Sequence, residues 1–98
     1  MTKADVITEI ATKTGIDKAD VSASLEAFFT VVKGSLTRGE PVYVRGFGSF
    51  IVKHRKEKVG RIISKGESLI IPAHNVPSFK PSKVFVEKVK KGGDKDSK

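Results

Sequence analysis

Apolar residues recur at two different periods along this chain, and the change comes at Pro41. Before it, Val6, Ile7, Ile10 and Ala11 repeat at helical spacing. Val21, Leu25, Phe28, Phe29, Val32 and Leu36 then form a longer stripe at i, i+4, i+7, i+8, i+11 and i+15. Thr2, with Asp5 three residues on, reads as a capping box. Asp17 with Asp20 repeats the start signal. Gly15 suits the position after the first helix, and Gly39 followed by Pro41 stops the second. The pattern predicts two helices joined by a short loop.

After Pro41 the period falls to two. "VYVRGFGSFIVKHRK" alternates and is rich in β-branched and aromatic residues, as strands are. Gly46 and Gly48 flank Phe47, which predicts a tight turn between two strands, with Phe50 and Val52 on one side of the second. "SLIIPAHNVPSF" reads as a further strand that Pro72 confines to an edge or a bulge. The expected geometry is a long two-stranded ribbon, an arm over about 53–73, with its tip near residues 62–66. "KPSKVFVEKVKK" predicts a short helix with Ser82 as N-cap, Val86 and Val89 inward with Val84 or Phe85, and lysines outward. The fold class expected is α+β: an N-terminal helical hairpin, a small antiparallel sheet with a long ribbon arm, and a short C-terminal helix. One domain spans 1–91, and 92–98 ("GGDKDSK" closes the chain) is expected to be a disordered polar tail.

Composition changes this picture in one respect. At 98 residues with 38% hydrophobic residues, the chain has a modest core to build, yet helix 2 alone carries more large apolar residues than one side of a small domain covers. Phe47, Phe50 and Phe79 add to the excess. An intertwined homodimer resolves it, with Leu25, Phe28, Phe29, Val32, Phe47, Phe50 and Phe79 as shared core. No cysteine is present, which excludes disulfide staples and thiolate metal sites. No secretory signal or membrane span is expected from the apolar runs.

Charge points to the partner. Residues 1–50 hold six basic and six acidic side chains, whereas residues 51–98 hold thirteen basic and five acidic, so the whole net charge of +8 falls on the second half. A neutral scaffold joined to a positive face suits a polyanion. Catalysis has little support: His54 and His74 lie twenty residues apart with no nucleophile motif or metal-ligand spacing. They read as a ribbon residue and a turn residue. "GFGSF" lacks the following helix that a phosphate-cradling loop needs. No enzyme activity, cofactor or metal is expected.

The basic segment carries the sharpest signal. Lys53, Arg55, Lys56, Lys58, Arg61 and Lys65 are opposed only by Glu57 within it. Cations on a narrow ribbon can follow phosphates and enter a minor groove, where negative potential is focused. Ile62 and Ile63 sit among them. An apolar tip residue can enter between base pairs and kink the duplex. Ile63 is the candidate wedge and Ile62 hydrophobic cover; cover of Val59 or Leu69 by either residue is the alternative.

The helix pair from Thr2 to Leu36, "GFGSF" at 46–50, "R-x-x-K-x-G-R" from Arg55 to Arg61, and "IPAHNVPSFKPSK" at 71–83 together resemble the HU/IHF family of bacterial histone-like DNA-bending proteins. The resemblance covers residues 1 to about 91. It implies an obligate intertwined dimer whose two arms wrap double-stranded DNA through the minor groove, in the cytoplasm and on the nucleoid. It implies that Lys53, Arg55, Lys58 and Arg61 touch phosphates and groove edges and that Lys80 and Lys83 hold phosphates between the arms. Lys3 is similar in placement to a flank contact, with pairing to Glu26 as the alternative. The family's arm tip usually reads Arg-Asn-Pro, with proline as wedge; here it reads Arg61-Ile62-Ile63. Weak sequence preference, DNA bending and compaction are the expected function. An IHF-like sequence-specific subunit, or a basic protein binding other polyanions, stays open. RNA shares the phosphate attraction, although stacking motifs for it are absent. No membrane partner is expected.

Overall fold

The computed structural model describes residues 1–62 and 67–96. The chain forms two compact units, residues 1–35 and 36–98. In the first, helix α1 (Lys3–Thr14) begins with the capping box expected of Thr2 and Asp5. The Asp5 amide donates to Thr2 Oγ1 at 3.2 Å, and the Thr2 amide donates to Asp5 Oδ2 at 2.9 Å. Two otherwise orphan N–H groups are thereby satisfied. The backbone and side-chain hydrogen bonds from Thr2 hold the Asp5 carboxyl below its ordinary range. Gly15 closes the helix at φ 76°, a left-handed conformation in which its amide reaches the Ala11 carbonyl at 2.9 Å. Helix α2 (Lys18–Thr37) starts directly after Asp17 and runs into the second unit. Val21 and Val32 are its buried residues, and Phe28 and Phe29 meet edge-on at 5.8 Å.

The second unit is built on an antiparallel sheet of order β1-β2-β5, formed by Val42–Val44, Gly48–Arg55 and His74–Pro81. The turn expected around Phe47 joins β1 to β2, with the Phe47 amide on the Val44 carbonyl at 3.0 Å. Gly48 is buried at its exit, and a Cβ there would stand 2.6 Å from the Lys80 carbonyl oxygen and from Phe79 Cζ. Only glycine lets β5 come this close. The β2–β5 register pairs Phe50 with Phe79 and Val52 with Pro77, so these four share one face. Phe79 centres the aromatic cluster, with ring centroids 5.0 Å from Phe47 and 5.1 Å from Phe50.

Helix α3 (Lys83–Asp96) starts at the N-cap the sequence suggests: Ser82 Oγ accepts from the Phe85 amide at 3.2 Å. Phe85 points inward and stacks on Phe47 at 5.2 Å with planes 22° apart. Val86 and Val89, expected inward, are 39% and 57% exposed. Phe85 makes the helix's ring contacts with the aromatic cluster, against Phe47 and Phe79, and the two valines stay more exposed. The helix also continues through residues 92–96, where a structureless tail is expected. Extending an existing helix adds a hydrogen bond per residue without a new nucleation cost, which offsets the weak propensity of Gly92 and Gly93.

The expected continuous ribbon is broken in two. A second, two-stranded sheet, β3 (Lys58–Ile62) with β4 (Glu67–Ile71), pairs separately from the first. Both strands leave the ladder at the same level, at Lys56–Glu57 and at Pro72–Ala73. Pro72 has no N–H to give the ladder, so pairing stops there. Lys53 and Arg55 consequently belong to the body sheet rather than to the separate ribbon.

Candidate nucleic-acid interface

Strand alternation sorts the second unit into an apolar and a basic face. In β2, residues 49, 51, 53 and 55 point opposite to Phe50, Val52 and His54. Ser49 pairs with Lys80, Ile51 with Ser78, Lys53 with Val76 and Arg55 with His74. Directly opposed residues share a face, so Lys53, Arg55, His74 and Lys80 lie on the side away from the aromatic cluster. Lys53 and Arg55 are spaced by one strand repeat, about 7 Å. All four are exposed. A row of solvated cations on one sheet face can meet a row of phosphates without desolvating a buried charge.

Two concavities lie along this face. One, of about 830 Å³, opens where the strands part and is lined by Arg55, Lys56, Glu57, Lys58 and His74 with Ile71, Val76 and Pro77. The other, of about 410 Å³, lies at the opposite end of the sheet, where Lys80 and Lys83 meet Tyr43 and Arg45. The Ser82 amide donates to the Phe47 carbonyl at 2.9 Å and ties the end of β5 to the β1–β2 turn. This tether brings Arg45 and the 74% exposed Tyr43 beside Lys80 and Lys83. Sequence reasoning missed both residues. The available signal was parity, since Tyr43 pairs with Ser49 and so shares the basic face.

The ribbon is apolar as well as basic. Lys58 pairs with Ile71, Val59 with Ile70, and Arg61 with Ser68. Val59, Leu69 and Ile70 are each half or more exposed, on a two-stranded element with no core beneath it among the described residues. Contiguous apolar surface of this kind marks an interaction site. The proposed tip residues Ile63 and Lys65 lie outside the described residues. Lys3, in the first unit, is ion-paired with Glu26 at 2.5 Å, which joins α1 to α2.

The residues assigned to a shared core are unevenly covered. Val32 is buried, yet Phe28 and Phe29 are 41% and 38% exposed, and Phe47 and Phe79 42% and 37%. Among the described residues only Val21 and Val32 form a buried hydrophobic core. No cluster of metal-binding side chains occurs among the described residues, and no described helix is long and apolar enough to cross a membrane.

The family model described as "Bacterial DNA-binding protein" matches residues 1–90. The chain belongs to this family. The HU protein of Thermus thermophilus is 41% identical over 91 residues, which is 93% of this chain and 94% of that one. Integration host factor subunit alpha of an Anaeromyxobacter species is 42% identical over 85 residues, 87% of this chain and 86% of that protein. An Anabaena HU–DNA cocrystal structure matches with a TM-score of 0.86 at 35% identity, covering 91% of this chain and 97% of that one. The helices and strands above are therefore those of the HU/IHF family, whose members are architectural DNA-binding proteins and not enzymes.

Proposed function

We propose that the protein acts as a homodimer that binds duplex DNA through the minor groove with little sequence preference, bends it and compacts the bacterial nucleoid in the cytoplasm. The observation that carries this reading is the two-faced sheet: Lys53, Arg55 and Lys80 share one side, and Phe50 and Phe79 the other. The exposed aromatic rings support a second copy that completes the core, and the basic faces of the two copies then form one continuous track. Lys56, Lys58 and Arg61 extend that track along the ribbon, and Lys83 continues it at the start of α3. Lys65 and the wedge residue Ile63 belong to the tip in this proposal. Unstacking a base step costs a few kcal/mol, which the added phosphate contacts of bent DNA offset.

The bend is tested by energy transfer between dyes at the two ends of a duplex. Binding brings the ends together, and Ile63→Ala reduces the bend more than the affinity. Equal bending by wild type and variant refutes the wedge; an unbent complex refutes the architectural role. A sequence-specific, heterodimeric bender is the second reading, supported by the similarity to an integration host factor subunit. A footprint on one defined site among genomic fragments decides for it.

A further inference from the structure

The break at the root of the ribbon holds a group that counting fixed charges leaves out. His74 is the first residue of β5, exposed, opposite Arg55 on the basic face. It lines the 830 Å³ concavity together with Arg55, Lys56, Lys58 and Glu57. Its Nδ1 lies 2.8 Å from the carbonyl oxygen of Pro72. A carbonyl oxygen only accepts, so Nδ1 carries the hydrogen of this bond. In the neutral ring the other nitrogen, Nε2, is then a bare lone pair. A lone pair facing a phosphate oxygen sets acceptor against acceptor. Once protonated, the same nitrogen donates a charge-assisted hydrogen bond to that oxygen while Nδ1 keeps its bond to Pro72.

We propose that His74 is a further phosphate-binding residue at the ribbon root, engaged only as the imidazolium, so that DNA binding takes up a proton there. This rests on the DNA-binding reading above. The charged groups around the ring are Arg55 across the ladder and Lys56, Glu57 and Lys58, which line the same concavity; Lys53 lies one strand repeat along on the same sheet face. A phosphate among them brings the negative charge that favours the imidazolium. His54 differs: it pairs with Asn75 on the other face, its Nδ1 3.0 Å from Asn75 Oδ1.

The test is affinity of the full chain for a duplex of about thirty base pairs, at constant ionic strength from about pH 5.5 to about pH 8.5. Wild-type affinity rises as pH falls, by up to about tenfold per pH unit for each proton taken up. His74→Gln flattens this dependence, His74→Lys binds tightly throughout, and His54→Gln retains the slope. Calorimetry of the wild type in buffers of different ionisation enthalpy reads the same proton uptake without any variant. Salt-sensitive binding that is flat with pH, or a slope that survives in His74→Gln and disappears in His54→Gln, overturns the proposal and leaves DNA binding standing. No binding at any pH overturns both.

Discussion

Replacing Gly48 with alanine tests whether the approach of β5 to β2 holds the basic face together. The added methyl would stand 2.6 Å from the Lys80 carbonyl oxygen and 2.6 and 2.7 Å from two ring carbons of Phe79, where ordinary contact begins at 3.4 Å. Something must retreat by about 0.8 Å. One obstacle is backbone. The other is a ring held between Phe47 and Phe50, so neither is the loose end of a side chain. A ladder bond of ordinary length stretched by that amount leaves the hydrogen-bonding range. Overpacking costs about 1–3 kcal/mol and a weakened ladder bond about 1 kcal/mol. The lower chain entropy of unfolded alanine returns about 0.4–1 kcal/mol. The expected loss is therefore about 1–3.5 kcal/mol. Equilibrium urea unfolding measures it, and the salt dependence of DNA binding is recorded on the same variant, since Lys80 and Lys83 lie at the displaced strand end. A variant within about 0.5 kcal/mol of wild type refutes the close-approach reasoning.

Three further outcomes follow from the same geometry. Arg55→Ala, on the basic face, weakens binding to all sequences alike and lowers the slope of log affinity against log salt by about one per copy bound; titrations at several salt concentrations read this, and a loss confined to one sequence contradicts it. Phe79→Ala removes the centre of the aromatic cluster and costs about 3 kcal/mol or more, with an unfolding midpoint that depends on protein concentration; a midpoint independent of concentration contradicts the shared core. The Asp5 carboxyl is held low by Thr2, so its contribution is complete above its unfolded value of 3.8 and is lost as pH falls through the lower folded value; Asp5→Asn removes that part of the acid unfolding transition seen by circular dichroism, and an unaltered transition contradicts the linkage.

The elements were legible in the sequence wherever one local signal decided them. The Thr2–Asp5 box, Gly15, the turn at Phe47 and the cap at Ser82 each rest on a few neighbouring residues. Features that depend on two distant segments were less so. Pro72 announces an interruption in its own strand, but nothing local at Lys56–Glu57 shows that the partner strand leaves the ladder at the same level. Helical spacing leaves Phe85 and Val84 as alternatives for the inward position, and the stacking of the Phe85 ring on Phe47 decides between them. Tyr43 reaches the basic face by strand register, whereas Arg45 joins Lys80 and Lys83 through a tether between the turn and the end of β5, which periodicity does not encode. His74 read as a turn residue because its hydrogen bond to Pro72 and its place opposite Arg55 depend on register.

If this chain binds DNA by bending it, a flexible joint in the duplex tightens the complex. The direct measurement is a salt series of binding to one intact and one nicked duplex of about thirty base pairs and identical sequence. Binding to both is expected to fall steeply with salt, with a slope near −0.9 per phosphate neutralised, and to be tighter on the nicked duplex, whose hinge lowers the cost of the bend. Equal affinity for the two at every salt concentration contradicts it and leaves a polycation that coats DNA without deforming it.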